Sequence, residues 1–139
     1  MCIEAARRVL GQSCHSEEFE PEAEHKIIKY IDNTKTRMGG TMKLGTHTTL
    51  VGEDTKAWEV YGEKEIKERH RHRYEFNNKY FDSYNTSGMH CVGKNPENNL
   101  VEIIEIPDHP WFVGVQFHPE YSSNVLNPHP LFNSFIEAC

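Results

Sequence analysis

Polar and apolar residues alternate along residues 66–76. Ile66, Glu68, His70, His72, Tyr74 and Phe76 fall on one side of an extended chain, and Lys67, Arg69, Arg71, Arg73 and Glu75 on the other. This period of two predicts a strand. Residues 100–106 and 111–117 are the clearest further strands, and the Pro107-Asp108-His109-Pro110 turn between them makes the pair a β-hairpin. Shorter strands are expected over residues 26–32 and 90–94, and residues 38–44, with their Gly39-Gly40 pair, read as a turn entering a strand. Helical spacing marks residues 1–10, with Ile3, Ala6, Val9 and Leu10 on one face and Gly11 suited to the C-terminal cap. Residues 56–61, stopped by Gly62, and residues 78–84 form shorter helical stretches. Pro130 opens a last helix, whose stripe of Leu131, Phe132, Phe135 and Ile136 is expected to pack into the core. Residues 13–24 read as an acidic loop with Phe19 as its one large apolar side chain. There are no repeats, low-complexity tracts or linkers. Helices alternating with strands give the α/β class.

At 139 residues the chain fits one domain or part of a larger one. A mean hydropathy of −0.71 is polar for a globular protein, yet 11% aromatic residues, mostly in apolar runs, favour a packed core over disorder. The net charge of −6, with Lys and Arg scattered, leaves no basic footprint for nucleic acid. No apolar run approaches the ~20 residues of a membrane span, and no secretory leader pattern follows Met1. Cys2, Cys14, Cys91 and Cys139 show no C-x-x-C spacing and read as reduced thiols of a cytoplasmic protein.

The chemistry concentrates in residues 114–120, GVQFHPE. An apolar strand ends abruptly at His118 and Glu120, two residues apart, and Pro119 stops the ladder from continuing. A carboxylate beside an imidazole holds one ring nitrogen protonated and leaves the other as a base, the rear half of a nucleophile–His–acid relay. The plain alternative is a surface pair at a strand end. His70-x-His72 invites a metal reading, but no third or fourth ligand is evident, so no metal is assigned. Gly39-Gly40 lacks the Lys-Ser/Thr of a P-loop and the G-x-G-x-x-G spacing, and reads as a tight turn.

These residues carry a resemblance. The run 101–123, VEIIEIPDHPWFVGVQFHPEYSS, resembles the C-terminal end of a class I (triad-type) glutamine amidotransferase. The stretches 39–45 (GGTMKLG) and 68–75 (ERHRHRYE), followed by Asn77-Asn78, resemble the CTP synthase family and set it apart from other amidotransferases such as GMP synthetase. The resemblance implies a partial flavodoxin-like α/β domain with a mixed sheet and flanking helices. It represents the C-terminal portion of the glutaminase domain over residues 1–139, with the amidoligase domain absent. It implies hydrolysis of L-glutamine, with the ammonia passed to an amidoligase domain that aminates UTP to CTP using ATP and Mg²⁺. No cofactor is implied for this chain itself. By the same resemblance His118 matches the general base and Glu120 the carboxylate that orients it, while Arg73 and Glu18 match residues that grip the glutamine. The Glu18 match is looser, because His15-Ser16-Glu17-Glu18-Phe19 stands where the family usually shows Asn-Ser-Thr-Glu-Phe. Free glutamine carries an α-carboxylate and an α-ammonium, so one cation and one anion suit it. Solvated positions on an acidic loop and a basic strand face are the plain alternatives for Glu18 and Arg73.

The family's nucleophile is a Cys in a G-x-C-x-G strand–turn, expected just upstream of Met1. Cys2 has no flanking glycines and falls inside a predicted helix, so it is not expected to replace that residue. The chain alone is therefore expected to be inactive as a glutaminase. The alternative is a non-catalytic relic or a partner-binding fragment.

Overall fold

The computed structural model describes residues 2–11, 13–31 and 42–139. Among the described residues, two sheets and four α-helices build the fold. Helix α1 spans Cys2–Leu10, and Gly11, at φ 90°, closes it with an N–H···O bond of 3.1 Å to Arg7. Strands β1 (Cys14–Ser16) and β2 (His25–Tyr30) pair in parallel. Strand β3 (Lys43–Val51) is antiparallel to β4 (Glu65–His72). Between them lies α2 (Lys56–Tyr61), which Thr55 caps by accepting from Trp58 N–H at 3.1 Å, and which Gly62 ends at φ 65°. Strand β5 (Tyr74–Phe76), a 3₁₀ turn at Asn78–Tyr80 and α3 (Phe81–Thr86) lead to β6 (His90–Lys94). The hairpin partners are β7 (Val101–Glu105) and β8 (Val113–Val115), and α4 (Pro130–Glu137) comes last.

The smaller sheet has the order β1-β2-β5 and is the mixed one; the larger, β4-β3-β6-β7-β8, is antiparallel throughout. Several expectations change. The single strand over residues 66–76 breaks at Arg73, so that β4 belongs to one sheet and β5 to the other. Its alternation holds up to the break: Ile66, Glu68 and His70 are buried and their neighbours exposed. The acidic loop contains β1, which buries Cys14 and Ser16 against β2; three residues are too few for a periodic signal. The strand over residues 111–117 pairs only at Val113–Val115. The expected turn at Gly39-Gly40 lies outside the described residues.

Strand β7, between β6 and β8, has all five residues buried. Val101 and Ile104 join a core of Ala6, Ile27, Phe76 and Tyr84 under α1 and α3. Ile103 joins Val51, Ala57, Ile66, Phe117 and Leu131 under α2 and α4. A strand covered on both faces should read as a continuous apolar run. Glu102 and Glu105 interrupt this one, and each is satisfied. Glu105 accepts from the Lys56 and Ala57 N–H groups at 3.1 and 2.6 Å, holding the first turn of α2 against the sheet. Glu102 takes Lys43 Nζ and the Thr49 hydroxyl.

The stripe of α4 does not sink into the core as expected. Leu131 is buried, but Phe132, Phe135 and Ile136 remain 40%, 47% and 69% exposed. The helix is docked by its first turn and by the contact of Trp111 with Phe135, whose ring centroids lie 5.1 Å apart.

Candidate active site

Phe117 is buried and anchors the end of the strand that delivers His118. The His118 N–H donates to Arg69 C=O at 2.8 Å, tying this backbone to β4. The chain then turns through Pro119–Ser122 as a 3₁₀ turn with proline in its first turn. That turn brings Glu120 back onto the imidazole: His118 Nδ1 and Glu120 Oε1 lie 2.7 Å apart. A carboxylate only accepts, so the proton sits on Nδ1 and Nε2 is left as the base. The bond from His118, then the bond from its own backbone N–H, hold the Glu120 carboxyl below the ordinary glutamate value. The Tyr121 ring lies 5.3 Å from the imidazole, with the Arg69 guanidinium 5.6 Å from its centroid.

Arg73 occupies the break between β4 and β5, exposed, with its C=O accepting from Ile31 N–H at 2.9 Å. The next residue ties this crossover to the His118 strand. Tyr74 C=O accepts from Gln116 Nε2 at 3.0 Å, and Gln116 stands two residues before His118. Gln116 N–H in turn donates to Glu102 C=O at 2.9 Å. The Arg73 crossover and the His118 strand end are therefore one hydrogen-bonded unit.

Glu18 lies exposed in the turn after β1, with its N–H bonded to Ser16 Oγ at 3.3 Å. Its neighbour Glu17 is engaged instead, accepting from Lys26 Nζ and Tyr30 N–H at 3.0 and 2.7 Å. Glu18 follows β1 of the smaller sheet, the sheet to which the strand after Arg73 also belongs, whereas His118 follows β8 of the larger one.

A trough of about 490 Å³ opens beside β8. Cys2 and Ile3 from the start of α1, Ile28, Phe76, Phe112 and Gln116 contribute to its largely apolar wall. Burial pushes the Cys2 thiol up, the reverse of what activates a nucleophile, and does the same to Cys14 and, up to about 12, to Cys91. His70 and His72 hydrogen-bond to each other at 2.9 Å, Nδ1 to Nε2, and no cluster of three or more His, Cys, Asp or Glu suited to a metal occurs among the described residues. No helix among the described residues is long and apolar enough to cross a membrane.

Sequence reasoning passed over Gln116 and His72 as structural parts of this site. The signal was present in both: one amide inside an apolar strand, and one of two imidazoles on the buried side of another. Their shared target is a backbone carbonyl, which no side-chain pattern reveals.

The family model of class I glutamine amidotransferases matches residues 2–138. The CTP synthase of Bacteroides fragilis is 53% identical, over 99% of this chain and 26% of that protein. The CTP synthase of Porphyromonas gingivalis is 50% identical, over 98% and 26%. Among solved structures, the glutaminase domain of Trypanosoma brucei CTPS with bound acivicin is similar at a TM-score of 0.88 and 34% identity, over 99% of this chain and 55% of that one. The chain thus spans about a quarter of the length of these curated relatives.

Proposed function

The chain belongs to the class I glutamine amidotransferases, and within them to the CTP synthases, and from that premise we propose that it provides the proton relay and the amino-acid grip of a glutaminase that feeds ammonia to CTP formation. The observation that carries this reading is the 2.7 Å bond from His118 Nδ1 to Glu120. It fixes the tautomer a triad needs and leaves Nε2 to move protons.

In the proposed reaction a cysteine thiol attacks the side-chain amide carbon of glutamine. The new C–S bond and the broken C–N bond give a thioester and ammonia, with His118 passing the thiol proton to the leaving nitrogen. His118 then takes a proton from the water that attacks the thioester; a C–O bond forms, the C–S bond breaks, and the proton returns to the sulfur, giving glutamate and the free thiol. Glu120 steadies the imidazolium in both steps. Arg73 pairs with the α-carboxylate of glutamine and Glu18 with its α-ammonium. None of Cys2, Cys14, Cys91 and Cys139 stands in a G-x-C-x-G turn, and burial suppresses the first three. The attacking sulfur is accordingly assigned to sequence outside these 139 residues. The amidoligase reaction, with its UTP, ATP and Mg²⁺, is assigned to a further domain, and the protein to the cytoplasm.

The test is glutamine hydrolysis by the 139-residue chain and by the same chain preceded by the matching upstream segment of the Bacteroides fragilis enzyme. The first should show negligible turnover, since a triad without its nucleophile loses ~10⁴–10⁶ in rate. The second should turn over, and His118→Ala should abolish it. Turnover that survives His118→Ala would sink the reading. A non-catalytic fragment would show no turnover in either form and no rise in melting temperature with glutamine.

A further inference from the structure

A file of buried side chains runs behind the Arg73 crossover, and none of them is needed for the chemistry above. Glu102 and His70 have fully buried side chains. His72 Nδ1 lies 2.8 Å from Tyr74 C=O, and His72 Nε2 lies 2.9 Å from His70 Nδ1. A carbonyl only accepts, so His72 carries its proton on Nδ1. Its Nε2 then accepts, which places the His70 proton on Nδ1 as well. His70 Nε2 is buried without a hydrogen-bond partner and faces Glu102 Oε1 at 3.6 Å. The two donors thus point one way along β4, from His70 through His72 to Tyr74 C=O. Burial keeps both rings neutral, holding His72 at about 4 and His70 lower still.

Tyr74 C=O receives two donors, His72 from β4 and Gln116 from the strand that ends at His118. It is the point where the larger sheet holds the residue next to Arg73. The ladders of the two sheets stop on either side of Arg73, at the pairs Lys43–His72 and Tyr30–Tyr74, and Ile31 N–H bonds Arg73 C=O between them. The two side-chain bonds at Tyr74 C=O add to that hold.

We propose that His72 is a positioning residue for recognition of the glutamine α-carboxylate: by holding Tyr74 C=O it aims Arg73 at a site whose other wall is set by His118. The inference rests on the assignment of Arg73 to glutamine.

The test is calorimetric glutamine binding by the 139-residue chain. His72→Phe keeps the ring and removes the donor; His72→Asn keeps an N–H near the place of Nδ1. The Phe variant should bind glutamine about tenfold more weakly, the loss of one good hydrogen bond, and the Asn variant within about threefold of the unaltered chain. Binding of 4-aminobutanamide, which is glutamine without its α-carboxylate, should not change in either. Equal weakening for glutamine and 4-aminobutanamide would make His72 merely structural and overturn the proposal. If His72→Phe does not fold, Gln116→Leu removes the second donor and should show the same selective loss; equal losses there would overturn it too. Arg73→Ala separates the two levels. If it leaves glutamine binding unchanged, the assignment of Arg73 is wrong. If it weakens binding while His72→Phe does not, only the positioning role fails. Two-bond ¹H–¹⁵N spectra need no ligand: His72 should appear as the Nδ1–H tautomer, and an Nε2–H signal would overturn the proposal directly.

Discussion

His129 Nε2 donates to Glu68 Oε1 at 2.7 Å, with both side chains almost wholly buried. The same ring accepts the Leu131 N–H on Nδ1 at 3.2 Å, so one imidazole caps α4 and pins it to β4. Tyr61 adds its hydroxyl to Glu68 Oε1 at 2.9 Å, drawing α2 into the same knot. Glu68 Oε2 has no hydrogen-bond partner, which leaves this carboxylate dependent on the donors at its other oxygen. Removing the imidazole strands a buried charge, and such losses run to about 3 kcal/mol or more. His129→Ala should lower the unfolding free energy by about that amount in a urea titration, and His129→Gln, which keeps a donor near Nε2, by about half. An Ala variant as stable as the unaltered chain would mean that water replaces the ring and the knot carries no weight.

The buried imidazole of His70 and the half-buried one of His72 set a pH window for stability. His70 and His72 are held neutral by burial first, with Lys43, His47 and His118 adding repulsion and only the bond to Tyr74 favouring the charged form of His72. In the unfolded chain both would titrate near 6.5. Below that value the unfolded state takes up protons that the fold refuses, so stability falls as pH falls. For His72 the decline ends near pH 4. Each such proton contributes a slope of about 1.4 kcal/mol per pH unit. Urea midpoints measured from pH 7 to 4 should fall steadily, and His72→Asn should remove about one proton from the slope. A flat profile would show that the folded rings take up protons as readily as the unfolded chain, and that burial does not hold them neutral.

Much of this arrangement was legible in the residues, and the reason differs from place to place. The alternation over β4 put Ile66, Glu68, His70 and His72 on one side, the side that the fold turns inward, because a period of two is a direct consequence of backbone geometry. His118 and Glu120 stood out because a polar pair ended an apolar strand. What escaped was the break at Arg73. Strand propensity continues through Tyr74–Phe76, and the change of sheet is decided by β2, a distant partner whose pairing no local pattern encodes. The exposure of Phe132 and Ile136 escaped for a similar reason: helical spacing tells which residues share a face, not whether anything covers it.

Gly93 offers a test of the central layer. It lies in register with Ile103 across β6 and β7, and a Cβ there would meet Ile103 Cβ at 2.6 Å and Cγ1 at 2.4 Å. Neither atom belongs to a flexible tip, and Ile103 is fully buried, so the strands themselves would have to part. Gly93→Ala should cost about 2–3 kcal/mol of stability. The double variant Gly93→Ala with Ile103→Val, which trims the clashing Cδ1 but not the branch at Cβ, should recover less than half. Full recovery would place the clash at the side-chain end alone.

The last prediction concerns whether Glu120 reads His118 at all. Its carboxyl is held low chiefly by the imidazole and next by its own backbone N–H. The sign follows from the direction: the fold favours the ionised carboxylate, so the pair contributes above the ordinary glutamate range and is lost as pH falls through the lowered value. Both side chains are substantially exposed, so little stability is at stake. The titration itself is the informative quantity. Carboxyl ¹³C shifts should give Glu120 a midpoint below that of an ordinary glutamate, and His118→Ala should move it upward, because the larger of its two stabilising bonds has gone. An unchanged midpoint in the variant would assign the shift to the backbone alone. Glu120 could then not be the group that holds the imidazole in its working tautomer, and the proton relay proposed for this chain would lose its orienting member.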